Sequence, residues 1–106
     1  MVQVQIVMPA TALRGQTIEI KTLIQHPMET GHRRDPEGAP IRRDLINRLV
    51  VTYGGAEIFR ANLYPGIAAN PYLAFSTVAT ESGDIVFEWT GDSNFQARES
   101  RKLTVT

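Results

Sequence analysis

Apolar and polar positions alternate with a period of two along most of this chain. Val2, Val4, Ile6 and Met8 alternate with Gln3, Gln5 and Val7, a half-buried strand ended by Pro9. Thr11 to Gly15 reads as a turn. Thr17 to Gln25 is a second strand, with Ile18, Ile20, Thr22 and Ile24 on one face and Glu19 and Lys21 on the other. Ile46 to Tyr53 is a third, and Gly54-Gly55 is a two-residue hairpin signal that returns the chain along Ala56 to Leu63. Tyr64 to Pro71 is a compact connection, with one helical turn expected across Gly66 to Ala69. Strands follow at Tyr72 to Val78, at Ile85 to Thr90, and from Phe95 to Thr106, separated by turns at Glu81-Ser82-Gly83-Asp84 and Gly91-Asp92-Ser93-Asn94.

About seven short strands, with turn signals every ~8–12 residues and no long helix, predict an all-β fold. The expected architecture is an immunoglobulin-like (fibronectin III-like) antiparallel β-sandwich forming a single domain over residues 1–106. Its core should combine Trp89, Phe87, Ile85, Ile18, Ile20, Leu49, Val51 and Phe75. A chain of 106 residues with 42% hydrophobic residues can bury such a core without staples.

Charge narrows the choice of partner. Eleven Lys and Arg balance eleven Asp and Glu, so the basic excess typical of nucleic-acid binding is absent. No apolar run reaches the ~18 residues of a membrane span. The opening residues lack a basic region followed by an apolar block, so no export leader is expected in the chain itself. There is no Cys, hence no disulfide, thiolate nucleophile or Cys-based metal site.

Candidate chemistry is sparse. His26, Glu29 and His32 are ligand types for zinc, but their spacing matches no metal motif, and His26 before Pro27 also reads as a hydrogen-bonding residue at a strand end. Ser76, Ser82, Ser93 and Ser100 lie in no nucleophile-elbow context. Gly54-Gly55 lacks the pattern of a phosphate cradle. Neither catalytic residues nor a cofactor are expected. The His26 to Asp44 segment is long, with Arg33, Arg34, Arg42 and Arg43 against Glu29, Asp35, Glu37 and Asp44. It is either a solvated loop or a functional one.

Leu63 to Phe75 contains no charge at all. It reads as a buried crossover between the sheets, as an apolar contact surface, or as both. Leu49-Val50-Val51 is apolar on both faces of one strand, which suggests that something covers its outer side. The alternation of Leu49, Val51 and Tyr53 points Val50 outward.

Four segments together resemble the SoxZ family of thiosulfate-oxidation proteins: Ile20 to Gly31 with its His-Pro-Met-Glu-Thr-Gly run, Ile46 to Gly55, Leu63 to Phe75 with Ala-Asn-Pro-Tyr, and Val86 to Thr90. The resemblance implies a non-catalytic subunit that forms a tight heterodimer with SoxY, a protein that carries sulfur intermediates on a Cys in a flexible arm. It also implies a periplasmic location, reached by export together with that partner. A disulfide to the partner is excluded here. The residues expected at the partner surface are Met28, Val50, Tyr53, Phe59, Tyr64, Ile67 and Tyr72, and a homodimer is expected of the isolated chain. Two alternatives remain at this level: a stand-alone immunoglobulin-like binding or adhesion module, and a small metal-dependent enzyme using His26 and His32.

Overall fold

A computed structural model describes residues 3–106; the Val2 position of the first strand lies outside them. Among the described residues eight strands form: β1 (Val4–Val7), β2 (Thr11–Ala12), β3 (Thr17–Ile24), β4 (Ile46–Tyr53), β5 (Ala56–Asn62), β6 (Tyr72–Val78), β7 (Gly83–Gly91) and β8 (Gln96–Val105). They make a three-stranded sheet in the order β1-β3-β6 and a five-stranded sheet in the order β2-β8-β7-β4-β5. The two sheets build the expected sandwich.

The period-two pattern decides the facing. Directly opposed residues of antiparallel strands share a face. Leu49 pairs with Trp89, Val51 with Phe87 and Tyr53 with Ile85, and all six are buried. Ile18, Ile20, Thr22 and Ile24 meet them from the other sheet, also buried. Phe75 is only half-buried, because β6 is an edge strand. Its ring stacks on Phe59 of β5, centroids 4.3 Å apart and 4° from parallel, so the pair closes the open side of the sandwich.

Two local expectations are corrected. The Thr11 to Gly15 turn begins with a short strand, β2, which runs parallel to the end of β8 and pairs Thr11 with Thr104 and Ala12 with Val105. No helical turn forms across Gly66 to Ala69. Pro65 and Gly66 instead make a tight turn, closed by the Ile67 N–H donating to the Tyr64 carbonyl at 3.3 Å. Gly66 has φ +111°, which favours a turn over a helix there. The expected Gly91 to Asn94 turn is present and winds as a 3-10 turn at Asp92–Asn94.

Gly91 marks the tightest backbone approach. A side chain there would collide with the Leu45 carbonyl and the Ile46 Cα at the irregular start of β4. The closeness is needed because the Asp92 N–H donates to that same Leu45 carbonyl at 2.8 Å.

Candidate partner-binding surface

The His26 to Asp44 segment folds as a narrow two-armed ribbon. Glu29 bridges to Asp44, with N–H to carbonyl bonds of 2.8 and 2.7 Å in the two directions. Farther out, the Ile41 N–H donates to Arg33 O at 3.0 Å. At the tip, the Asp35 carboxylate accepts the Glu37 and Ala39 N–H groups at 3.0 and 2.9 Å. Charged pairs brace the arms. Arg33 grips Glu29, and Arg43 binds Asp92 through two bonds of 3.0 Å. Asp92 also accepts the Leu45 N–H at 3.0 Å. The Arg43 guanidinium holds the Asp92 carboxyl below its ordinary value; burial opposes this and the Leu45 N–H reinforces it.

At the ribbon's root His26 is buried and structural. Its Nδ1 accepts the Met28 N–H at 3.0 Å, so the ring proton sits on Nε2, 3.5 Å from the Asp44 carboxylate. Phe95 packs edge-on to the ring at 5.0 Å. His26 is buried and His32 exposed, and among the described residues no three metal-ligating side chains come together.

The same histidine fixes the charge-free stretch. Its N–H donates to Asn70 Oδ1 at 2.9 Å, and the Asn70 N–H donates to the His26 carbonyl at 2.7 Å. Asn70 has a left-handed backbone, φ +54°, which asparagine tolerates better than most residues. Leu63 is buried, whereas Tyr64 to Asn70 lies exposed. The stretch is therefore anchored at its ends and presented to solvent between them, so both readings of it hold in part.

The expected surface residues separate accordingly. Tyr64, Ile67 and Tyr72 are exposed, at 67%, 41% and 54%. Tyr72 opposes Leu23 on the outer face of the three-stranded sheet. Val50 does face outward, but from the other sheet. There it stands in a row with Arg60, Glu88 and Arg98, among charged neighbours. Val50 and Tyr72 thus belong to opposite outer faces and cannot share one apolar patch. Phe59 is half-buried in its inter-sheet stack.

Two residues leave the surface altogether. Met28 is buried, with a left-handed φ of +51°, and its sulfur accepts the Ile46 N–H at 3.3 Å. Tyr53 is buried at the end of β4. Its hydroxyl accepts the Thr80 and Glu81 N–H groups at 3.2 Å each and donates to the Glu81 carbonyl. Both point inward because the domain needs them: one pins the ribbon, the other the turn after β6. Sequence reasoning missed Asn70 as the anchor, although the left-handed tolerance of Asn ahead of Pro71 was a usable signal. It also missed an open recess of about 320 Å³ beside Tyr64, lined among others by Arg43, Asn47, Arg48 and Asn62.

The sequence profile of the family described as sulphur oxidation protein SoxZ matches residues 6–102. The chain belongs to the SoxZ family. It thereby belongs to the sulfur-oxidation system, and the resemblance carried by the His-Pro-Met-Glu-Thr-Gly and Ala-Asn-Pro-Tyr segments holds. A search of curated proteins finds no match. Among solved structures, the sulfur carrier protein SoxY from Chlorobium limicola f thiosulfatophilum is similar, with a TM-score of 0.69 and 12% identity over 97% of this chain and 78% of that one. A superoxide reductase (neelaredoxin) from Ignicoccus hospitalis gives 0.73 and 16%, over 97% and 80%. A CARDB domain from Pyrococcus furiosus gives 0.56 and 15%, over 97% and 94%. At such identities these likenesses concern the fold, an immunoglobulin-like sandwich.

Proposed function

We propose that this SoxZ-family chain is a non-catalytic binding subunit that holds a SoxY-type sulfur carrier, whose arm cysteine bears the covalent sulfur intermediates. The observation that carries the reading, beyond family membership, is the charge-free stretch that exposes Tyr64, Ile67 and Tyr72 and is anchored to the ribbon through Asn70 and His26. Aromatic residues without charged neighbours in sequence are typical of the centre of a protein interface. Arg43 beside Tyr64 supplies a polar rim.

On this reading the pair buries an obligate-type interface of roughly 2,000 Å² or more, and the chain works in the periplasm after export together with its carrier. The stand-alone adhesion module gives way to the family assignment. The proposal is tested by co-purifying the chain with the SoxY encoded by the same genome. A stable one-to-one complex supports it; separate elution of the two folded proteins refutes it.

A further inference from the structure

The four sheet edges differ in how they are guarded. β1 has four residues and β2 has two. β5 carries Glu57 and Arg60, and a register shift beside Ile58 distorts it. Short strands, charges and bulges are the usual protection against unwanted pairing. β6 has none of them. It runs seven residues, Tyr72 to Val78, without a charge, a proline or a register shift.

The ladder shows which backbone groups are open. The Ile24 N–H donates to Pro71 O at 3.3 Å, and the Ala79 N–H donates to Gln16 O at 2.8 Å. Hydrogen-bonded pairs alternate in an antiparallel ladder. Leu73, Phe75 and Thr77 therefore spend their backbone groups on β3. Tyr72, Ala74, Ser76 and Val78 turn theirs to the free edge, where no other strand of the described residues pairs with them.

We propose that β6 is a strand-addition site, occupied in the isolated protein by β6 of a second copy. The strand is its own complement. Antiparallel pairing about a twofold axis at Phe75 sets Ala74 opposite the second copy's Ser76 and Tyr72 opposite its Val78, with the free donors and acceptors in register. No charge meets a charge. The two Phe75 rings face each other as a close, non-hydrogen-bonded pair beside the Phe59 stack, covering rings that the single chain leaves half-buried. The contact is isologous, so it closes as a dimer rather than a fibre. Two three-stranded sheets become one continuous sheet.

The proposal does not rest on the carrier reading, and its test uses this chain alone. Sedimentation of the full chain over a concentration series should show a monomer–dimer equilibrium. Ala74→Pro removes an N–H that faces only the free edge, and Ser76→Lys adds the missing edge charge. Both should sediment as monomers, with a melting temperature close to that of the parent diluted to its monomeric range. In the parent dimer, amide exchange at Ala74 and Ser76 should slow as concentration rises. If Ala74→Pro does not fold, Ser76→Lys and the exchange pattern decide. A parent that stays monomeric at millimolar concentration, or a dimer kept by both variants, overturns the proposal.

Discussion

Asn70 holds the backbone of His26 twice, accepting its N–H through Oδ1 and donating its own N–H to its carbonyl. The two residues are 44 positions apart. Each sits in a segment that carried the family resemblance, so those segments are now seen as two halves of one clamp. The clamp joins the root of the charged ribbon to the uncharged exposed stretch.

Asn70→Ala removes one bond to a half-buried N–H and leaves Ala in a left-handed conformation. Together these should lower stability by about 1–3 kcal/mol. Denaturant unfolding at neutral pH measures this. An unchanged midpoint would show that the clamp is ornamental.

Asp92, in the turn between β7 and β8, ties that turn to the base of the ribbon through Arg43. Its folded-state carboxyl lies below the ordinary value, held there first by Arg43. A depressed carboxyl contributes stability that is present above its unfolded-state value and lost as pH falls through the folded one. Asp92→Asn should therefore melt a few degrees lower than the parent at neutral pH, and the gap should close as the solution is acidified. A gap that widens in acid would reverse the sign of this account.

Gly91→Ala places a methyl group against the Leu45 carbonyl. The backbone at the start of β4 must shift, at a cost of roughly 1–3 kcal/mol. Thermal melts should show the loss, while Gly83→Ala, where the added methyl would meet only ordinary contacts such as the Tyr53 ring at 3.7 Å, should lose less. Equal losses would mean that the close approach is not the cause.

Much of the sandwich was legible because its strands have one wet face. The alternation in β3, β4 and β7 named Ile18, Ile20, Leu49, Val51, Phe87 and Trp89 correctly as core. The surface was harder to read for two physical reasons. Met28 lies outside any strand, where periodicity does not say which way a side chain points, and the Ile46 N–H draws its sulfur inward; Tyr53 shares the inward parity of Leu49 and Val51, so its place was legible, and the Thr80 and Glu81 N–H groups hold its hydroxyl there. Val50 was placed outward rightly, yet sheet order puts it across the sandwich from Tyr72. Sheet order is a long-range property that local pattern does not encode. The ribbon was legible as a charged excursion, but its pairing of Glu29 with Asp44 depends on tertiary hydrogen bonds.

The central claim is that the chain grips a carrier through its charge-free stretch. The most direct measurement is the affinity for SoxY of two variants that differ in which face they alter. Tyr72→Asp puts a charge on the proposed interface, and Val50→Glu puts one on the opposite outer face among Arg60 and Arg98. Isothermal titration should find pairing weakened by several kcal/mol for Tyr72→Asp and nearly unchanged for Val50→Glu, with both variants folded alone. Tight binding by Tyr72→Asp together with loss in Val50→Glu would contradict the account and move the interface to the five-stranded sheet.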